Sequence, residues 1–174
     1  MLPMLLSEGA PVGSAVVRHL YLDIDGVLNP WHIDGTWGQV VEKTIFTHFP
    51  PSLIAELNEL IASVPGLQVF WLSSWERASQ DYGQDAGLIG SEQWPWLPAG
   101  GSGREEAWEK FVSIQEHLKV TQPDQVVWCD DELKEERAAW RWACDQPNLL
   151  PISPENVLLP EHLEQIRSFF AVGR

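Results

Sequence analysis

Positive charge is scarce in this sequence: 11 Lys and Arg stand against 25 Asp and Glu, a formal net charge of −14. An extended nucleic-acid footprint needs clustered cations to displace counterions from phosphates. The densest basic stretch, KEERAAWR at 134–141, mixes both signs. Extensive nucleic-acid binding is therefore not expected, although one nucleotide end remains manageable. Cysteine is almost missing: Cys129 and Cys144 fit no metal or disulfide framework and are expected to be small buried thiols. No apolar run approaches the roughly 20 residues that span a bilayer. The opening MLPMLLSEGAPVGSA has no basic residue before its apolar patch, and Pro3 interrupts that patch. Residues 1–15 are expected to be a loose leader and 16–174 a single domain, cytoplasmic and without a membrane partner. Internal repeats and low-complexity segments are also lacking.

What is present is a regular alternation. Val16 to Asp23 (VVRHLYLD) reads as a buried strand. Residues 29–48 are rich in Trp, Gly and Thr, with DGTWG as a turn signal, and predict a short hairpin or flap. PPSLIAELNELIASVPG predicts a helix started by Pro and ended by PG, with Leu53, Leu57, Leu60 and Ile61 on one face. LQVFWLSS is a near-continuous apolar strand of the kind covered on both faces. A short helix from Trp75 and a loop, GSEQWPWLPAGGSG, follow. Ser102 and Glu105 form a capping box for a helix to about Lys119, with Trp108, Phe111, Gln115 and Leu118 on one stripe. DQVVWCDD is the next strand, then a helix from Glu132 to Ala143, a short strand at NLLPI, and a last helix from Pro160.

Strands alternating with helices predict an α/β fold: a three-layer, Rossmann-like, mostly parallel sheet with helices on both faces. Ligands of such sheets bind outside the carboxyl ends of the strands. Asp23, Ser73 and Asp130 each stand where a strand stops, so all three are expected along one sheet edge.

Two carboxylates, Asp23 and Asp25, end the first strand, and two more, Asp130 and Asp131, end a later one. Residues two apart on an extended strand point the same way. Gly26 then allows a sharp turn. Gathered carboxylates repel one another and resist burial. A hard divalent cation with oxygen ligands, such as Mg²⁺, removes both costs. If one Asp stays free to attack, the cluster suits phosphoryl transfer through an aspartyl-phosphate. Ser73 can donate a hydrogen bond to the phosphoryl group, and Lys110 can supply the cation. Ser74 competes with Ser73, and Arg104 and Lys43 compete with Lys110.

In order, DIDGVL, VFWLSS, Lys110 and VVWCDD resemble the four motifs of the haloacid dehalogenase-like (HAD) superfamily, over Leu20 to Glu132, roughly two-thirds of the chain. The resemblance implies a HAD-type catalytic domain over 16–174. It implies Asp23 as nucleophile and Asp25 as general acid/base that lends its backbone carbonyl to the metal. Ser73 and Lys110 would hold the phosphoryl group, and Asp130 and Asp131 would bind Mg²⁺. Dehalogenase members generally lack the second Asp of the first motif, so Asp25 favours a phosphatase. SSW and WCDDE resemble a small bacterial subgroup often associated with nucleic-acid repair modules. Neither residues 26–72 nor residues 74–109 have room for a large cap domain beside the elements already placed there. In this family, an open site suits a bulky phosphorylated substrate such as a nucleotide or nucleic-acid end.

The sequence holds ten Trp. Trp31 and Trp37 in the flap, and Trp75, Trp94 and Trp96 after the second strand, are candidates for stacking on substrate. Trp71, Trp108, Trp128 and Trp140 read as core. His32 in the flap reads as a surface residue. A receiver domain of two-component signalling also gathers Asp and Lys at a sheet edge, but in a different order along the chain. A metal-binding, HAD-like interaction module with little turnover is the non-enzymatic alternative.

Overall fold

The computed structural model describes residues 15–99 and 108–172. The expected leader, the Ser102–Glu105 capping box and Arg104 lie wholly or almost wholly outside them. Four parallel strands form the central sheet in the order β4-β1-β5-β6: β1 Arg18–Leu22, β4 Leu67–Trp71, β5 Gln125–Cys129 and β6 Leu149–Ile152. An antiparallel hairpin, β2 Val41–Thr44 and β3 Thr47–Phe49, follows β1. Five α-helices, α1 Pro51–Ser63, α2 Ala78–Ala86, α3 Glu109–Thr121, α4 Arg137–Asp145 and α5 Pro160–Ala171, and a short 3-10 helix at Ser91–Gln93 complete the described residues.

Strand alternation divides the core in two. Leu20, Leu22, Val69, Trp71, Val127 and Cys129 face one side and pack with α1, α2 and α5. Tyr21, Phe70, Leu72, Val126 and Trp128 face the other and pack with α3 and α4. Each strand is hydrophobic on both faces because helices cover both faces. The architecture is thus the three-layer α/β sandwich that the sequence predicts. In α1, Pro51 sits in the first turn, and Leu53, Ile54, Leu57 and Leu60 are buried.

Several local expectations need correction. The turn at Gly35–Gly38 exists, but the hairpin reverses later, at Ile45–Phe46. The helix expected from Trp75 starts at Ala78, after turns in which the Glu76 and Ala78 amides donate to the Ser73 and Trp75 carbonyls. The helix expected from Glu132 starts at Arg137, because Asp130 Oδ1 accepts from the Glu132 amide and Ser153 Oγ from the Lys134 amide. These bonds hold residues 131–135 in turns. On α3, Trp108, Phe111 and Leu118 are only half-buried, while Lys110 and Ile114 are the fully buried positions. Cys129 is buried as expected, but Cys144 on α4 is exposed. Among the described residues, no helix is long and apolar enough to cross a membrane.

Candidate active site

Sheet register sets the site. Leu22 pairs with Trp71 on one side and Cys129 on the other. The next level along the three strands therefore holds Asp23, Leu72 and Asp130, with Ser73 one residue beyond. Parallel in-register pairing thus delivers two carboxylates to one point at the carboxyl edge. The ladder continues past the strands: the Asp23 amide donates to the Cys129 carbonyl at 3.0 Å, and the Leu72 amide to the Leu22 carbonyl at 2.8 Å.

Asp23 and Asp130 are buried, and Asp131 is half-buried. Carboxylate oxygens from all three lie within 4.8 Å of one another. Lys110 stands between two of them, its Nζ 2.5 Å from Asp23 Oδ2 and 2.8 Å from Asp130 Oδ2. The first turn of α3 aims this side chain inward, and the Trp108 ring lies 5.5 Å from the ammonium. Trp108 in turn stacks on the buried Trp128.

Burial raises the pKa of Asp23 and outweighs the opposing charge and hydrogen bond of Lys110. Asp130 is pushed up further, first by burial and then by the charge of Asp23. Asp131 is also raised, mainly by burial, although Trp31 pulls against it. Burial alone would lower Lys110, but the charges of Asp23 and Asp130 raise it above its ordinary value. One cation among three carboxylates leaves an excess of negative charge in a low-dielectric place. The all-oxygen, mostly buried donor set fits a hard divalent cation.

Ser73 is buried and hydrogen-bonds to Asp23, whereas Ser74 is exposed. Of the two serines, Ser73 is therefore the one placed at the carboxylate edge. Lys43, the rival of Lys110, is paired with Asp85 on the surface. Asp25 does not put its carboxylate in the three-Asp cluster: Oδ1 accepts from Asn29 Nδ2 at 2.7 Å, and Oδ2 from Trp75 Nε1 at 2.8 Å. Gly26 (φ 68°) brings the chain so close to Asp131 that a Cβ would lie 2.2 Å from its Oδ2. That position needs glycine for both space and backbone conformation.

Sequence reasoning missed Asn29. Its Nδ2 also donates to the Phe46 carbonyl at 2.8 Å, and its Oδ1 accepts from the His48 amide at 2.9 Å, so it ties Asp25 to the hairpin. Trp31 and Trp75 were noticed as rings, but their indole N–H groups are what reach the site. Trp31 Nε1 donates to Asp131 Oδ2 at 2.9 Å, as Trp75 does to Asp25. Trp37 instead donates to the Leu158 carbonyl and packs on the core, and Trp94 packs on Trp71.

A Rossmann-like sheet with this Asp–Asp–Lys–Ser edge defines the HAD class. Residues 19–163 match the family described as the HAD domain in Swiss Army Knife RNA repair proteins, and the chain belongs to that family. Among solved structures, it is similar to an inactive mutant of the HAD domain of the effector protein Lem4 from Legionella pneumophila. That likeness has a TM-score of 0.57 at 12% identity and covers 91% of this chain and 96% of the other. A second structure of the Lem4 HAD domain matches with a TM-score of 0.51 at 13% identity, covering 90% and 97%. At such identities the likeness establishes the fold. Among curated proteins, none matches the sequence.

Proposed function

We propose that the protein is a Mg²⁺-dependent phosphomonoesterase that works through an aspartyl-phosphate. The observation that carries this reading is the buried cluster of Asp23, Asp130 and Asp131 with Lys110 between two of its members. Family membership supports a phosphatase-like hydrolase. Asp23, Asp130 and Asp131 would hold the Mg²⁺, with the Asp25 backbone carbonyl as a further ligand. When bound, the ion would neutralise phosphoryl oxygens and polarise the phosphorus.

In the first half-reaction a carboxylate oxygen of Asp23 forms a bond to phosphorus as the ester P–O bond breaks. Asp25 gives its proton to the departing oxygen. In the second, the Asp25 carboxylate takes a proton from water. The water oxygen bonds to phosphorus while the Asp23–phosphorus bond breaks, which releases phosphate and restores both residues. Ser73 and Lys110 hold the transferring oxygens through preorganised donors. Asn29 and Trp75 fix Asp25, so the acid waits in place beside the leaving group.

A bulky phosphorylated substrate, such as a nucleotide or a nucleic-acid end, fits this reading. The family's description as RNA repair proteins favours an end, and the −14 charge disfavours a long footprint. The test is phosphate release from aryl phosphates, nucleotides and 3′- or 5′-phosphorylated oligonucleotides, with Mg²⁺ and with chelator. Asp23→Asn should abolish activity while the far-ultraviolet spectrum stays native. Asp25→Asn should slow alkyl esters roughly 10²–10⁴-fold, and aryl esters much less, since a good leaving group needs little proton transfer. If no substrate in the panel turns over at millimolar Mg²⁺, the hydrolase reading fails and the interaction module takes its place.

A further inference from the structure

Beside Asp25 the chain forms a cleft of 380 Å³. Its walls include Trp31, Ile45, Phe46 and Trp75, with Asp25 and His48 among its polar groups. Three of the apolar residues stand largely in solvent: Trp31 is 63% exposed, Ile45 75% and Phe46 71%. Large apolar side chains gathered around a concave surface mark a binding place, whereas isolated ones do not. Small-molecule sites share this composition, apolar and aromatic walls with a few placed polar groups. The volume lies near the lower end of the range for such sites, roughly 300–1,000 Å³. It holds one ring system with a short attachment, not a stretch of polymer.

Charge narrows the occupant further. Among the described residues, no Lys or Arg lines the cleft. Nothing there would compensate a second phosphate, so an uncharged group suits it best. The two tryptophans are also indexed to the chemistry. Trp31 donates to Asp131 and Trp75 to Asp25, so both walls are bonded to carboxylates of the site. Asn29 fixes the hairpin tip to the same frame through the Phe46 carbonyl.

We infer that this cleft takes the leaving group of the substrate and selects one that carries a planar, uncharged aromatic ring. The inference rests on the hydrolase reading for what the leaving group is, but not for the ring preference itself. The phosphoryl group sits over Asp23, the ester oxygen lies beside Asp25, and the ring lies against Trp31, Trp75 and Phe46. A nucleobase and a phenyl ester share this chemistry.

The experiment compares kcat/KM for phenyl phosphate, adenosine monophosphate, ribose 5-phosphate and glycerol phosphate, in the full chain and in Phe46→Ala. Phenyl phosphate, whose better leaving group raises its rate by itself, is read by how far Phe46→Ala lowers its kcat/KM relative to glycerol phosphate. Adenosine monophosphate should lead ribose 5-phosphate, an alkyl ester like it, by roughly tenfold or more, the usual worth of one stacked ring. Phe46→Ala should shrink that ratio toward one, and Ile45→Ala serves the same purpose if the first variant does not fold. A larger loss in Phe46→Ala for adenosine monophosphate than for phenyl phosphate identifies a base as the ring, and the reverse identifies an aryl ester. Turnover without any ring preference overturns the cleft assignment and leaves the hydrolase reading standing. A second arm measures binding of phenyl phosphate and glycerol phosphate to Asp23→Asn by calorimetry. If wild type hydrolyses nothing but the ring-bearing ligand binds tighter, the hydrolase reading fails and the cleft stands. Equal affinity, or none for either ligand, overturns the cleft.

Discussion

Strand β1 carries two buried polar clusters that solve the cost of burial in opposite ways. Toward its start, on the face covered by α3, His19 Nδ1 lies 3.0 Å from Tyr21 Oη, which lies 2.7 Å from His117 Nδ1. Phe70 packs against all three rings. Burial, and then the neighbouring His117, lowers His19 to about 4. Burial lowers His117 as well. Both rings are therefore neutral at pH 7, and the phenol donates to one while accepting from the other. This cluster is satisfied by neutral hydrogen bonds, with Gln68 beside His19 and Thr121 beside Tyr21 as further partners. At the end of the same strand, Asp23 joins two more carboxylates around a single ammonium. Hydrogen bonds alone cannot close that cluster, because its charge does not balance. A buried polar group satisfied by neutral partners is structure. One left short of positive charge, like the three-Asp cluster, is chemically suited to hold a cation.

The comparison can be broken most forcefully at Lys110. Lys110→Met should lower stability by about 3–5 kcal/mol in urea denaturation at pH 8, since it strands two buried carboxylates. The loss should shrink as the pH falls, because the raised pKa values of Asp23 and Asp130 let them take up protons instead. A variant as stable as wild type at pH 8 would mean that this cluster is no less self-sufficient than the histidine one.

A smaller effect sharpens the contrast from the ligand side. Mg²⁺ at a hundred times its dissociation constant should add about 2.7 kcal/mol, read as a higher Tm than in chelator. Asp130→Asn should remove that increment and His19→Phe should keep it. Failure of Mg²⁺ to move the Tm of wild type would take the metal out of the account.

The smallest effect belongs to His19. Its pKa is lower in the folded chain than the ordinary 6.5, so below pH 6.5 the unfolded chain binds the extra proton and stability falls. From pH 7 to pH 5 this group should cost about 2 kcal/mol, with further loss continuing toward pH 4. His19→Phe should flatten that part of the profile. If the two profiles run parallel between pH 7 and pH 5, the histidine is not held neutral.

The sheet edge was legible in the sequence because strand ends are local. Runs of apolar residues stop at Asp23, Ser73 and Asp130, and parallel topology does the rest. Lys110 was harder, since a lysine in a helical stretch carries no mark of burial. Only the packing of α3 against β5 separates it from Lys43. The start of α4 was misplaced because Asp130 and Ser153, which hold the turns before it, act from outside the segment. Trp31, Trp75 and Asn29 show the same limit most clearly. Their donors reach carboxylates that are close in space but set by the fold, and composition cannot say where an indole N–H will point.

After β4 the chain returns through Pro95–Leu97 and pairs with the last residue of that strand, Trp71. The Trp71 amide donates to the Pro95 carbonyl at 2.8 Å, and the Leu97 amide to the Trp71 carbonyl at 2.9 Å. Parallel geometry turns the neighbouring positions outward, where the Trp94 amide is already spent on the Ser91 carbonyl and Pro98 has none to give. A foreign strand approaching this stretch would meet Pro95 and Pro98 on either side of Trp96. The bridge thus occupies the last rung of the β4 edge beside Trp96, so at that end of the sheet a foreign strand finds the ladder already paired.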